Sequence, residues 1–325
     1  MPLRQPGTGG PRLHGILTTY RRPAELADTL VRLGGQSRLI ERLVVADNGR
    51  GPETEGIVDR SAGWCPAVEH VAMPENVGPA GAIATGMRRF LEDAADGDWI
   101  VVIDDDDPPR FPHVIEELER FAEDAVRRDP RTAAVGLHGA RFDWSRGRLV
   151  RIGDRELDGP VPLDYLGGNA LPFFRVAAVR EVGPFLEQLF WGWEELEYGL
   201  RLRGAGYRIY GHGDLWRWGR GTRAADLDRR KRPLFSLREP DWRRYYEVRN
   251  LVHLLRIHGR PGTALRVGLT MGVAKPLANL PVRPRMALRH LALSRRALRD
   301  GWTGRLGRTV EPEPWGPRPV RHPAR

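Results

Sequence analysis

Trp99-Ile100-Val101-Val102-Ile103-Asp104-Asp105-Asp106-Asp107 decides how this chain is read. The five apolar residues run together without the alternation of a half-solvated strand, so they describe a strand buried on both sides. Such strands belong to mostly parallel sheets covered by helices, and open α/β sheets bind ligands at the carboxyl ends of their strands. Four adjacent carboxylates at that place repel one another unless a cation or solvent offsets their charge. In an extended segment alternate side chains share a side, so Asp104 and Asp106 are expected to face one way. Their hard oxygens suit Mg2+ or Mn2+, which would in turn bind a diphosphate. A solvated acidic turn ahead of Pro108-Pro109 is the competing reading of the same residues.

The pattern extends on both sides of that strand. Residues 13–19 read as a strand, and Pro23 opens a helix, where its missing N–H costs nothing, ahead of Leu26, Ala27, Leu30, Val31 and Leu33. Gly34-Gly35 stops it. Apolar runs at 40–46 and 68–72 are two further strands, ending at Asp47-Asn48-Gly49 and before Glu75-Asn76, and 79–91 is a helix. This β-α-β-β-α-β order predicts an α/β fold with a mostly parallel, Rossmann-like sheet. Beyond it come a helix at 112–127, a strand at 133–137, a hairpin or loop at 141–162, a loop into a helix at 192–206, a strand at 207–210 and a helix at 242–258. Residues 263–306 are Arg-studded and helix-permissive, broken by Pro276, Pro281 and Pro284.

With 325 residues, 41% hydrophobic and 29% charged, the chain is an ordinary globular sequence and not a disordered one. Its one cysteine, Cys65, excludes an internal disulfide framework and a cysteine-built zinc site. No apolar stretch follows Arg4 and no window approaches the length of a spanning helix, so neither a signal peptide nor a helical membrane span is expected. Charge is segregated: residues 241–325 carry 18 basic and 5 acidic residues, while the whole chain is only +10. No G-x-G-x-x-G or P-loop follows a strand, which argues against dinucleotide oxidoreductases and P-loop enzymes.

A second constellation is Trp191-Gly192-Trp193-Glu194-Glu195-Leu196-Glu197-Tyr198-Gly199-Leu200-Arg201. Adjacent glutamates at a helix start gain from the helix dipole, and a carboxylate in a partly dry aromatic cleft gains proton affinity and can act as a general base. Together with Thr18-Thr19-Tyr20-Arg21, Val45-Ala46-Asp47-Asn48, Glu75-Asn76-Val77-Gly78-Pro79-Ala80-Gly81 and Ile103-Asp104-Asp105-Asp106, this series resembles glycosyltransferase family 2 over roughly residues 12–258. It is most similar to the bacterial rhamnosyl- and galactofuranosyltransferase-like branch.

The resemblance implies an inverting enzyme of GT-A fold. It moves a sugar from a UDP- or dTDP-sugar to a hydroxyl of a glycan or lipid-linked glycan, in cell-wall or polysaccharide synthesis. Carried over residue by residue, Asp47 contacts the base, with Thr19, Arg21 and Asn76 nearby. Asp104 and Asp106 hold the ribose and a Mg2+ or Mn2+ ion, and Asp105 assists at the nucleotide. Glu195 is the catalytic base, with Glu194 its helper. Gly168, Asn169, Trp191 and Trp193 face the sugar or acceptor. Relatives often place a metal-binding His where this chain has Arg217; His212 is then the candidate replacement ligand and Arg217 a candidate diphosphate partner.

The expected organisation is an N-terminus without order (1–11), a catalytic domain (12–240), a basic helical region (241–308) and a Pro/Arg-rich tail without order (309–325). The basic region can lie on an anionic membrane, which makes the chain cytoplasmic and peripheral on the inner face of the plasma membrane, or it can be a plain solvated bundle. Lacking a reading module and carrying an acidic sheet edge, the chain is not expected to bind nucleic acid. The competing functions are a sugar nucleotidyltransferase, which normally brings a Gly-rich basic loop that is missing here, and a non-catalytic sugar- or membrane-binding module.

Overall fold

Strand β1 (Leu13–Thr19) buries all seven of its residues, as an uninterrupted apolar run requires. The computed structural model describes residues 10–225, 241–278, 280–281 and 284–312, and these form two compact units, 10–225 and 241–312. In the first unit β1 is followed by α1 (Pro23–Gly34), β2 (Arg42–Asp47), α2 (Pro52–Asp59), β3 (Ala67–Ala72), α3 (Gly78–Leu91), β4 (Trp99–Asp104), α4 (Val114–Arg128) and β5 (Thr132–Gly136). Helix α2 is additional to the expected order. A small hairpin of β6 (Arg141–Asp143) and β7 (Arg148–Val150), then β8 (Pro160–Pro162), fill the stretch read as hairpin or loop. Next are β9 (Phe173–Arg175), α5 (Val176–Val182), α6 (Glu194–Gly204), β10 (Arg208–His212) and α7 (Gly213–Ala225).

Eight strands form one sheet in the order β3-β2-β1-β4-β9-β5-β10-β8. The β3-β2-β1-β4 half is parallel, β9 is inserted antiparallel between β4 and β5, and β8 is an antiparallel edge. Registers pair Thr19 with Asp47 and Thr18 with Asp104, so β1, β2 and β4 end level and deliver their polar residues to one edge. Alternation within the strands feeds two cores. Ile16, Val44, Ile100 and Val102 pack with Ile83, Met87, Phe90 and Tyr198 on one face. Leu17, Leu43, Val101 and Ile103 pack with Leu26, Leu30, Leu118 and Phe121 on the other. Each such side chain contributes about 1.5–3 kcal/mol when fully removed from water.

The second unit holds α8 (Asp241–Ile257), α9 (Pro261–Leu269), a π turn (Thr270–Ala274), α10 (Lys275–Ala278) and α11 (Pro284–Thr303). Pro276 does not break the helical run as expected, because the wider turn immediately before it relaxes the backbone where its ring would clash. At the centre lies Arg249, fully buried, which donates to the Gly307 carbonyl (2.6 Å), to Thr309 Oγ1 (3.2 Å) and to Asn250 Oδ1 (2.8 Å). The Tyr245 hydroxyl donates to Asp300 (2.6 Å), and the Tyr246 hydroxyl donates to the Val310 carbonyl (2.8 Å). Thr309 and Val310 therefore belong to the folded unit and not to a tail without order. Residues 1–9, 226–240 and 313–325 lie outside the described residues.

Candidate active site

At the end of β4 the chain turns instead of running on extended: the Asp107 N–H donates to the Asp104 carbonyl (3.4 Å). The extended alternation expected for Asp104 and Asp106 therefore stops at Asp104, and the three carboxylates take different partners, while the Asp106 charge still acts on Asp104. Asp105 is buried and points back into the fold, accepting from Thr19 Oγ1 (2.8 Å) and from Arg22 Nη1 (3.0 Å), while Thr29 donates to its carbonyl (2.8 Å). Burial pushes its carboxyl up to about 6 against the opposing pull of Arg22 and Thr19. Asp106 is exposed and pairs with the same guanidinium at 2.6 Å. Arg22 thus neutralises two of the aspartates. Arg21 is exposed, with its guanidinium over the Tyr20 ring.

Asp104 faces Gly168, and among the described residues it has no ion-pair partner. A Cβ at position 168 would overlap its carboxylate. On the other side of the same glycine stands Glu195, whose carboxylate accepts the Gly168 N–H. Burial, then the charges of Glu195, Asp106, Asp105 and Asp107, raise the Asp104 carboxyl to about 7. Burial also raises Glu195, against hydrogen bonds from its own N–H and that of Gly168. Glu194 lies deeper, 5% exposed, with Oε2 enclosed and without a hydrogen-bond partner. Its proton affinity is raised well above the ordinary range by burial, then by Glu195 and Asp104. Tyr165, not singled out from the sequence, completes the cluster: the Glu195 charge, followed by burial, raises its phenol. Its hydroxyl stands beside Gly167.

Helix α6 is fixed so that its first turn presents the glutamates. Tyr198 is buried and stacks on Phe185 with ring centroids 4.4 Å apart. Arg201 pairs with Glu197 (2.9 Å) and donates to the carbonyls of Val182 (2.6 Å) and Pro184 (2.9 Å). The approach to the helix is strained. Phe190 has φ 63° and ψ −60° with the Trp191 N–H donating to the Leu189 carbonyl (2.7 Å), a γ-turn of the rare hand, and Trp193 caps the helix at φ 69°. Such conformations persist only where the surroundings over-determine them, and they concentrate at functional sites. Here Gly78, at φ +72°, lets the start of α3 lie against the Phe190 carbonyl.

The other expected residues divide. Asp47 accepts the N–H groups of Gly49 (2.7 Å), Arg50 (3.0 Å) and Gly51 (3.2 Å) and faces His70 Nε2 (3.4 Å), which occupies a carboxylate's four acceptor positions. It organises the β2–α2 loop, the role a common turn would give it. Asn48 donates to the Gly78 carbonyl (3.1 Å) and accepts the Val77 N–H (3.1 Å), and Asn76 accepts the Gly78 N–H (2.9 Å), so this pair shapes the entry to α3. Trp191 and Trp193 are half-buried and Asn169 is exposed beside Gly168. His212 does not join the aspartates: its ring stacks on Phe121 (4.5 Å) and burial lowers its basicity. Arg217 is on α7 and donates to the Leu157 carbonyl.

Among the described residues no three His, Cys, Asp or Glu side chains are grouped to hold a metal ion alone. The donor set still fits Mg2+ or Mn2+, which keep several waters and take one or two protein carboxylates with the remaining oxygens from substrate phosphates. Asp104, an acid held unpaired among other acids, is the carboxylate in need of such a cation.

A family profile described as glycosyl transferase family 2 matches residues 16–147. Galactofuranosyltransferase GlfT1 of Mycobacterium tuberculosis is 30% identical over 197 residues, which are 58% of this chain and 63% of that protein. GlfT1 of Mycolicibacterium smegmatis is 32% identical over 103 residues, 32% of each chain. The chain thus spans less than two thirds of the curated relatives it matches. Among solved structures it is similar to mannosyltransferase PcManGT from Pyrobaculum calidifontis in complex with GDP-Man and Mn2+ (TM-score 0.51, 19% identity, 92% of this chain and 80% of that one). It is also similar to GalNAc-T7 with UDP, GalNAc and Mn2+ (TM-score 0.50, 14% identity, 64% and 43%). At these identities the likeness establishes the fold, the GT-A arrangement.

Proposed function

We propose, from the match of residues 16–147 to the glycosyl transferase family 2 profile, that the chain is an inverting glycosyltransferase using a nucleotide-diphosphate sugar. The observation that carries this reading is the pairing of Asp104 and Glu195 across Gly168 at the carboxyl edge of the sheet. Glu195, its proton affinity raised by burial, takes the proton of an acceptor hydroxyl as that oxygen bonds to the anomeric carbon. The bond from that carbon to the donor phosphate breaks on the opposite side, and its electron pair leaves on the nucleoside diphosphate, inverting the configuration. Gly168, with no side chain, lets the Asp104 carboxylate lie against the backbone whose N–H holds Glu195, and the sugar is received beside the pair. Trp191 and Trp193 supply apolar faces for it, and Asn169 a polar contact. Glu194, enclosed and proton-retaining, keeps the charge beside Glu195 low.

Asp104, aided by Asp106 when Arg22 releases it, is the residue to hold Mg2+ or Mn2+, an ion that would stabilise the charge gathered on the departing diphosphate. Thr19 and Asp105, bonded to each other beneath the edge, support the nucleotide side from behind. The donor is a UDP- or dTDP-sugar, and the name of the relatives makes galactofuranose the first sugar to try. The acceptor is a glycan or lipid-linked glycan of the cell wall or another polysaccharide. The basic C-terminal region is the part that meets an anionic membrane on its cytoplasmic side.

The test is incubation of the purified chain with a panel of UDP- and dTDP-sugars and glycan acceptors, with and without Mn2+, following nucleotide release and the anomeric configuration of the product by NMR. Metal-dependent transfer with inversion is expected. Retention of configuration, or no transfer from any donor, overturns the reading.

A further inference from the structure

Nine large apolar side chains are exposed among the described residues, and six of them belong to the second unit: Ile257, Leu265, Leu269, Leu277, Leu288 and Trp302. Three share one helical run. Leu265 and Leu269 are four apart on α9 and therefore on one face. Residues of the π turn at Thr270–Ala274 advance by a smaller angle than α-helical ones, which brings Leu277 back into line with them. Gly268 and Gly272 let Leu298 of α11 approach closely, so α11 runs back along this helix. Leu277 on α10 and Leu288 near the start of α11 are both about half exposed, at 44% and 58%.

The helices that carry this ridge are basic, although Asp241 of α8 pairs with Arg289 (3.0 Å) and His290 (2.8 Å) of α11. From residue 248 to 299 the sequence holds eleven basic residues and no acidic one. Arg260 just ahead of α9, Arg266 on it and Arg285 on α11 are exposed beside the leucines. A merely solvated bundle gains nothing from aligned bare leucines, a second copy of the same face would bring like charges together, and a phosphate polymer would leave the leucines unused. A bilayer surface with anionic headgroups satisfies both features, since apolar side chains enter the acyl boundary while guanidinium groups remain at headgroup level. No described helix is long and apolar enough to cross a membrane, so the contact is a shallow one.

We propose that Leu265, Leu269, Leu277 and Leu288 form a ridge that inserts into the headgroup boundary of an anionic membrane, with the flanking arginines selecting acidic lipid. This rests on the reading that the basic region meets a membrane, and names the face and the manner of contact. The test uses the full chain in co-sedimentation with vesicles of phosphatidylcholine alone and of phosphatidylcholine mixed equally with phosphatidylglycerol. Binding to the mixed vesicles is expected, about tenfold weaker in L265E/L269E. R260Q/R285Q should bind more weakly and with less response to salt.

Helical content by circular dichroism and nucleotide binding by calorimetry should be unchanged in both variants. A wild-type chain that binds no vesicle overturns the membrane reading itself. Undiminished binding by L265E/L269E, equal binding to neutral vesicles, or a dimer in light scattering that the leucine variant abolishes overturns the ridge. Because vesicle binding needs no sugar transfer, failure of the transferase reading would register in the activity assay alone.

Discussion

Asp104 and Glu195 approach one another across the bare backbone of Gly168, Asp104 against the glycine's missing side chain and Glu195 on its N–H. One acid comes from a strand end and the other from a helix start 91 residues later, so only the assembled fold creates the pair. Their separate surroundings assign them different work, which substitution can read out.

Glu195→Gln keeps the shape and the Gly168 hydrogen bond but removes the proposed proton acceptor. Transfer should fall by about 10²–10⁴-fold, the usual worth of a positioned general base, while calorimetry shows unchanged nucleotide affinity. Full activity in this variant would move the base elsewhere.

Asp104→Asn and Asp106→Asn should differ. Asp104 is unpaired whereas Asp106 is held by Arg22 at 2.6 Å, so the first substitution should cost about tenfold or more in Mn2+-dependent nucleotide binding and the second clearly less. Equal losses would mean that Arg22 gives up Asp106 when the ion arrives.

Stability of the metal-free protein should respond to pH through the acidic turn. Asp104 and Asp105 have folded-state values of about 7 and about 6 against 3.8 when unperturbed. Between those limits the folded chain holds protons that the unfolded chain has released, so their contribution is full below about pH 4 and is lost as pH rises through 6 to 7. The melting temperature of Asp104→Asn should therefore exceed that of the wild type at pH 8 by more than at pH 5, at about 2–4 °C per kcal/mol. A difference that shrinks with rising pH would contradict the burial of Asp104.

Gly78→Ala places a methyl group against the Phe190 carbonyl at a φ of +72°, which L side chains rarely adopt. A loss of about 1–3 kcal/mol in urea unfolding is expected, with reduced turnover because the same contact seats the turn ahead of Glu194 and Glu195. Wild-type stability would show that the turn yields freely.

Ending the chain after Gly304 removes the Gly307 carbonyl and Thr309 from Arg249, and Val310 from Tyr246. Each buried donor left unmet costs about 1–3 kcal/mol, so calorimetry should show a lower-melting transition for the second unit. Coincident transitions in the two lengths of chain would make the contact dispensable.

Residues 13–19, 23–34 and 99–104 were legible because their patterns are long and their punctuation, Pro23 and Gly34-Gly35, is local. Strand β9 was not, since Phe173-Phe174-Arg175 is three residues long and too short to show a period. Helix α7, with Gly213, Gly219 and Gly221, offers weak helix-forming tendency and depends on packing such as Trp216 against Gly211. In the site, Asp104 and Glu195 stood out as acids at element ends. Tyr165 did not, because its place is set by carboxylates distant in sequence. The hold of Arg22 on Asp106 was not legible either, because it is made across the turn that follows Asp104.

The antiparallel insertion of β9 has a consequence for how the molecule is made. On a ribosome, β1 to β4 emerge first, and β4 keeps one backbone edge open until Phe173 appears about seventy residues later. At about 5–20 residues per second that is a delay of several seconds, in which a wholly apolar strand lies bare along one side. Newly made chains should therefore be most in need of chaperones between the synthesis of Asp104 and that of Arg175, and fragments ending in that interval should aggregate where longer ones do not.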